Sequence, residues 1–284
     1  MSMNFQIGGE KLQCTISEIG AELISVKYCG KERLWQNDNG SWSGHAPILF
    51  PYGGNCAVVV DGVTYPLQKH GFLAGQTFRL QEKTENSITL TCSSNEETKS
   101  LYPYDFTVFV TYLVEGNCLK VTYKATNDGN RVMYAGFGCH ESYALDGEVS
   151  GYEVVFEKDE ELLSMVASSE DGRMTGEAID LGKGKVLVLP EPILNDTVIL
   201  KTNSHCVTLR KIGEEKPLAR VTYPDFPYLL IWQAKGGKMV CIEPWHNLPD
   251  DQGEPSKELS QKQGLKALQP NESLIAYHEI EYFE

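Results

Sequence analysis

Apolar and polar side chains alternate along much of the chain, and this alternation predicts β-strands. Within 104–114, every second side chain from Phe106 to Tyr112 is apolar, and 119–126 alternates in the same way after a turn at Gly116. A period of two is typical of a strand with one face in the core and the other in water. The two segments therefore predict a β-hairpin.

The same strand pattern recurs in five further segments, two of which fold around glycine turns at Asp61-Gly62 and Gly236-Gly237: 58–67, 87–92, 185–189, 207–211 and 228–243. Helix signals are few and short. They lie at 159–164 and at 256–264, where Ser256 is a candidate cap and Gly264 a candidate stop.

Strands follow one another along the chain without intervening helices, which disfavours a parallel sheet. The pattern predicts an all-β fold, a large antiparallel β-sandwich with a few short helices. The length of 284 residues suits one large sandwich. Because no Pro- or Ser-rich linker, low-complexity tract or short repeat divides the sequence, we expect a single domain over 1–284.

Composition and charge exclude several classes of function. Hydrophobic residues make up 41% and charged residues 23%, which indicates a globular chain with a large core. The net charge of −14 would repel phosphate backbones and anionic lipids, so we expect neither nucleic-acid nor membrane binding. The chain starts without a signal-like segment and has no apolar run near the ~20 residues of a membrane span. We therefore expect a soluble, cytoplasmic protein.

Eight cysteines are spread over the sequence, with no Cys-x-x-Cys pair and no zinc-like spacing to histidines. Reduced, buried thiols are the expectation for such a chain. Cys139 and Cys241 adjoin residues of chemical interest, so a nucleophilic thiol is a weaker alternative. Neither has the local signature of a cysteine hydrolase.

A carboxylate ends the apolar segment that precedes Pro244. Glu243 is held in an extended conformation because the next residue is proline, which leaves its side chain little backbone freedom. Partial burial beside Trp245 would raise its pKa above about 4.3, towards the value that suits a general base. A strand-terminal Glu in water is the equally weighted alternative.

Two histidines follow candidate strands in similar settings. His140 comes after Phe137, which has a glycine on either side, and His70 is followed by Gly71 and Phe72. A single histidine is more often structural than catalytic. Two histidines and one fixed carboxylate together supply the donors and acceptors needed to move protons on a hydroxylated substrate.

These residues belong to a series of motifs that resembles the aldose 1-epimerase (galactose mutarotase-like) family, and more closely its LacX-like branch. The ordered motifs extend over essentially the whole chain: 46–51 (APILFP), 70–72 (HGF), 138–140 (GCH), 195–196 (ND) and 243–245 (EPW). The resemblance implies a β-supersandwich and interconversion of the α and β anomers of a free aldose, with no metal and no organic cofactor. A small sugar is then the expected partner, and the protein is expected to be a monomer or a homodimer.

The resemblance also assigns roles. Glu243 matches the general base that takes the proton of the anomeric hydroxyl, and His140 matches the general acid that protonates the ring oxygen. His70 matches the histidine that hydrogen-bonds the sugar. Asp196 matches an acidic residue that binds sugar hydroxyls, although a solvated turn residue after Asn195 is nearly as good an interpretation.

The substrate contacts are less well defined. Trp232 and Trp245, with Trp42, could stack on a pyranose, although at least two of the three could equally be core residues. Asn55 and Ala74 stand where the family usually has arginines. Asn55 could still donate to a hydroxyl, but the loss of two guanidinium groups argues against a sugar phosphate.

Several functions therefore compete. The first is an active mutarotase on an unphosphorylated aldose. The alternatives are a non-catalytic sugar-binding or regulatory protein on the same scaffold, a hexose-6-phosphate mutarotase, and a glycosidase that pairs Glu243 with Asp196. The intact His70, His140 and Glu243 favour the first.

Overall fold

The computed structural model describes residues 2–66, 68–189, 197–253 and 256–284. The strands of this part of the chain, in order, are β1 (Asn4–Gly8), β2 (Leu12–Ser17), β3 (Leu23–Tyr28), β4 (Lys31–Glu32), β5 (Val58–Val60), β6 (Val63–Tyr65), β7 (Arg79–Lys83), β8 (Ser87–Ser93), β9 (Phe106–Glu115), β10 (Cys118–Asn127), β11 (Met133–Ala135), β12 (Glu141–Ala144), β13 (Tyr152–Ala167), β14 (Met174–Val188), β15 (Val198–Lys201), β16 (Cys206–Lys211), β17 (Pro217–Thr222), β18 (Tyr228–Trp232), β19 (Met239–Trp245), β20 (Lys266–Leu268) and β21 (Ser273–Tyr282).

Most strands join one large antiparallel sheet, in the order β12-β19-β18-β15-β13-β16-β17-β21-β10-β9-β8-β7, with β14 paired to β13. The first four strands form a second sheet in sequence order, and β11–β20 and β5–β6 form two small ones. Apolar side chains from the two larger sheets meet in one core. The predicted all-β, antiparallel class is confirmed.

The hairpin predicted around Gly116 is confirmed as β9 and β10. Burial alternates along both strands, and Val110 lies opposite Tyr123 with both side chains in the core. The segments 87–92 and 207–211 lie in β8 and β16, 185–189 coincides with the end of β14 except for its last residue, and 228–243 divides into β18 and β19. The turn at Asp61-Gly62 joins β5 to β6, while Leu67 lies outside the described residues.

The helix predictions are wrong in their details. The segment 159–164 lies inside β13, where it pairs with β14 and where the buried Glu160 carboxylate accepts hydrogen bonds from the backbone N–H groups of Asn203 and Ser204. These tertiary partners override a weak local helix preference. Within 256–264, only Leu259–Gln261 forms a 3-10 turn.

Short helical elements occur elsewhere in the described ranges. The α-helix α1 spans Glu96–Leu101 and is capped by reciprocal hydrogen bonds between Asn95 and Thr98, so its sequence signal is the cap and not an apolar period. Two further 3-10 turns lie at Leu73–Gly75 and Val149–Gly151. None of the helices in the described part of the chain has the length and apolar content needed to cross a lipid bilayer.

Candidate active site

A cavity of about 1250 Å³ opens beside one end of the large sheet and brings together His70, His140 and Glu243. His140 directly precedes β12, and Glu243 lies in β19, the neighbouring strand. Because Glu141 pairs with Ile242 in antiparallel register, the next residues out, His140 and Glu243, fall opposite each other. Sheet pairing thus places the histidine beside the carboxylate.

The backbone around His140 is fixed on both sides. Gly138 exchanges hydrogen bonds with Leu49, and the Cys139 N–H donates to the Pro244 carbonyl over 3.0 Å. A Cβ on Gly138 would lie 2.9 Å from the Leu49 side chain and 3.0 Å from the Trp245 ring. Glycine at this position therefore allows the three segments to pack closely enough to orient His140.

The imidazole of His140 and the carboxylate of Glu243 form a close, buried pair. His140 Nε2 lies 3.4 Å from Glu243 Oε2, and Glu243 is only 2% exposed. Burial raises the pKa of Glu243 well above its ordinary value and lowers the pKa of His140 to about 4. Both shifts favour the neutral forms, with the proton on the Glu243 carboxyl group and a neutral His140 imidazole.

The turn that carries His70 holds this ring in a defined orientation. His70 has a φ of 70°, and a Cβ on Gly71 would overlap the Phe50 carbonyl, so glycine is required there. The Gly54 N–H donates to His70 Nδ1 over 3.0 Å. Burial lowers the pKa of His70 well below its usual range, so its proton lies on Nε2. His70 therefore offers an N–H donor.

Aromatic rings surround the two histidines. Trp42 stacks on His140, with the ring centroids 5.1 Å apart, and Trp232 meets both rings edge-on. Trp245 is 3% exposed and packs edge-on against His70. All three tryptophans border the cavity, and Trp42 also covers the imidazole of His140, where it limits the freedom of that ring.

Asn55 borders the cavity, and its amide already has a partner. Asn55 Nδ2 donates to the Asp171 carbonyl over 2.7 Å, which ties the turn between β13 and β14 to the cavity wall. Nδ2 carries a second hydrogen and the side-chain oxygen can accept, so the amide could contact a ligand through either atom. Asp196, the predicted sugar-binding carboxylate, lies outside the described residues.

The charges around the cavity are mainly negative. Among the described lining residues, Lys69 is the only lysine or arginine, and Ala74 lines the cavity as well. The acidic lining residues are Glu97, Glu170, Asp171 and Glu243. This lining suits a neutral, hydroxylated ligand better than an anion.

A second polar cluster, which the sequence pattern does not single out, lies behind His140. Cys139 and Glu141 point into the core, where His278 Nδ1 lies 3.3 Å from Cys139 Sγ and Nε2 lies 3.1 Å from Glu141 Oε1. Burial alone would lower the pKa of His278, but Cys139 and Glu141 raise it well above its ordinary value. The sequence does carry one sign of this cluster, because His278 stands between Ala276 and Ile280 on the apolar face of β21.

Comparison with protein families and relatives agrees with the motifs. The family model described as Aldose 1-epimerase matches residues 3–266. The chromosomally encoded protein LacX of Lactococcus lactis subsp. lactis is 29% identical over 265 residues, which cover 87% of this chain and 88% of LacX.

Solved structures show the same fold. A galactose mutarotase-like protein from Lactobacillus casei superimposes with a TM-score of 0.91 at 28% identity, over 99% of this chain and 100% of that one. A galactose mutarotase related enzyme from Lactobacillus acidophilus gives 0.88 at 25% identity, over 99% and 98% of the two chains.

Proposed function

Because the chain belongs to the aldose 1-epimerase family, we propose that it is an isomerase that interconverts the α and β anomers of a free aldose. The observation that carries this proposal is the 3.4 Å approach of His140 to Glu243 inside an aromatic-lined cavity. Anomer exchange needs one proton removed and one delivered, and this pair holds a donor and an acceptor on adjacent strands.

The reaction follows from the roles of the two groups. The Glu243 carboxylate takes the proton of the anomeric hydroxyl while the His140 imidazolium protonates the ring oxygen, and the bond from that oxygen to the anomeric carbon breaks. The carbonyl carbon of the open form then rotates to present its other face. Reclosure returns both protons, so the enzyme emerges unchanged.

The starting state requires the shared proton to move from Glu243 to His140. Both tautomers of the pair hold one proton, so their ratio does not depend on pH. Lys69 favours the Glu243 carboxylate electrostatically, although burial opposes it more strongly. Hydroxyl groups of a bound sugar would add hydrogen bonds to the charged form, which makes the substrate part of the activation.

The remaining polar groups and rings would hold the sugar. His70 would donate from Nε2 to the ring oxygen or a neighbouring hydroxyl, and Trp232 and Trp245 would cover the apolar face of the ring. Asn55 would accept a hydroxyl hydrogen bond through its side-chain oxygen. Asp196 keeps its proposed role as an acceptor of sugar hydroxyls.

Exchange NMR and saturation-transfer NMR on a panel of free aldoses test the function together. We expect enzyme-dependent exchange between the two anomeric signals for at least one aldose that binds. Binding without exchange would support the sugar-binding alternative instead. Release of alcohol from aryl glycosides would support the glycosidase.

The charge of the cavity leads to a prediction about the substrate. Glucose 6-phosphate would meet acidic residues and, in the described part of the lining, no arginine, so kcat/KM should be lower than for glucose. If the preference for glucose over glucose 6-phosphate shrinks at high salt, long-range repulsion is its cause. If the preference persists, its cause is the lack of a bidentate partner for the phosphate. Faster exchange of the phosphate would overturn the assignment and implicate Lys69.

A further inference from the structure

A buried thiol lies against the proposed acid and base. Cys241 and Glu243 are two residues apart on β19, so their side chains share a face, and His140 reaches the same point from beside β12. One potential ligand atom from each of the three lies within 4.8 Å of the other two. All three residues are buried.

The spacing of the donors fits a tetrahedral metal ion. With metal bonds of about 2.1 Å to nitrogen and oxygen, two ligands of a tetrahedral Zn²⁺ lie roughly 3.4 Å apart. His140 Nε2 and Glu243 Oε2 are separated by 3.4 Å. A thiolate at about 2.3 Å completes three protein ligands, and His140 and Glu243 line the cavity from which a fourth ligand would come.

We propose that His140, Cys241 and Glu243 form a binding site for Zn²⁺ or a similar borderline-soft divalent cation, and that the ion inhibits the protein. A site made of a thiolate, an imidazole and a carboxylate binds zinc in preference to magnesium or calcium, which favour oxygen ligands. Metal binding stands independently of the proposed function, whereas the inhibition rests on it, because the ion would occupy the acid and the base.

Proton release accompanies binding. The thiol of Cys241 and the carboxyl group of Glu243 each lose a proton to solvent when they ligate the ion, while His140 binds as neutral imidazole. Affinity should therefore increase with pH. A water molecule or a sugar hydroxyl would take the fourth position, so substrate and metal would compete for the same space.

The other buried Cys-His-Glu cluster also has one potential ligand atom of each residue within 4.8 Å of the other two, but its short contacts use opposite nitrogens of one ring. Cys139 approaches Nδ1 of His278, while Glu141 approaches Nε2 of the same ring. One ion cannot contact a single imidazole through both nitrogens, so these three residues form a chain of polar contacts. This cluster therefore supplies a matched control thiol.

Spectroscopic titration with Co²⁺ tests the site without reference to activity. Wild-type protein should show a thiolate-to-cobalt band and tetrahedral visible bands that saturate at one equivalent and disappear when Zn²⁺ is added. Cys241→Ala should weaken binding at least about 10-fold and remove the thiolate band, whereas Cys139→Ala should retain both. Unchanged binding in Cys241→Ala, or loss only in Cys139→Ala, would overturn the proposal.

The activity measurement separates the two proposals. Saturating Zn²⁺ should reduce anomer exchange by at least about 100-fold in wild type, and the same Zn²⁺ concentration should leave Cys241→Ala largely active. Cobalt bands in a protein that never exchanges anomers would retain the metal site and refute the proposed function. If anomer exchange occurs, is unchanged by Zn²⁺, and no cobalt bands appear, the proposed function would stand and the metal site would be refuted.

Discussion

Two histidine-carboxylate pairs lie on opposite faces of the short segment 139–141, and their protons are arranged differently. On the cavity side, His140 Nε2 is 3.4 Å from Glu243, and on the core side, His278 Nε2 is 3.1 Å from Glu141. Burial lowers the pKa of His140 to about 4, whereas the pKa of His278 is raised well above its ordinary value.

The surroundings of each ring explain the difference. His278 Nε2 faces the Glu141 carboxyl group and Nδ1 lies beside the Cys139 sulfur, and these two neighbours raise the pKa of His278 although burial by itself would lower it. His140 has Glu243 on one side and the stacked Trp42 ring on another, and no hydrogen-bond partner reaches its Nδ1 among the described residues. Burial therefore dominates at His140.

The His278-Glu141 pair has a structural role, whereas the His140-Glu243 pair is suited to proton transfer. The raised pKa of His278 favours its protonated form beside Glu141, and this contact ties β12 to β21. Burial favours the neutral forms of His140 and Glu243, and hydrogen bonds from a bound sugar would favour transfer of the proton between them. Three predictions test this contrast.

The largest expected effect is on catalysis. Glu243→Gln keeps the shape of the side chain and removes the base, so anomer exchange should fall by at least about 10²–10⁴-fold. Glu141→Gln is the matched change on the core side and should retain most of the exchange rate. Polarimetry on freshly dissolved sugar measures both. Equal losses in the two variants would show that the pairs do not have different roles.

The second effect is on stability. His278→Gln leaves the Glu141 carboxylate buried without its cation, so the free energy of unfolding should fall by about 3–5 kcal/mol. His140→Asn should change it much less, because Glu243 is already uncharged.

Chemical denaturation at several pH values checks this prediction and its sign. The raised pKa of His278 contributes stability that is fully present below its ordinary value of 6.5 and is lost as the pH rises through the folded-state pKa. The difference between wild type and His278→Gln should therefore shrink at high pH. A constant difference would argue against a charged His278.

The smallest effect is on the pH profile of kcat/KM. The singly protonated His140-Glu243 pair should predominate between the low pKa of His140, about 4, and the raised pKa of Glu243, which gives a bell-shaped profile. The negative charge of Glu141 helps to raise the pKa of Glu243. Glu141→Gln should therefore move the basic limb of the profile to lower pH, whereas Cys139→Ala should not.

Local sequence pattern was a good guide to the strands and a poor one to the helices. The alternation around Gly116 predicts β9 and β10 because one-sided burial of a sheet imposes a period of two. The segment 159–164 misleads because Glu160 is stabilised by Asn203 and Ser204, which are distant in the sequence. Helix α1 depends on a cap and has little periodicity.

The sequence by itself determined the all-β class and singled out His70, His140 and Glu243, since strand ends and their flanking glycines and proline are local features. Only the tertiary structure decided that Cys241 joins His140 and Glu243, and that His278 lies behind them. It also decided the opposite pKa shifts of His140 and His278. These outcomes depend on strand register and on burial by distant segments, and both arise only when the sheets assemble.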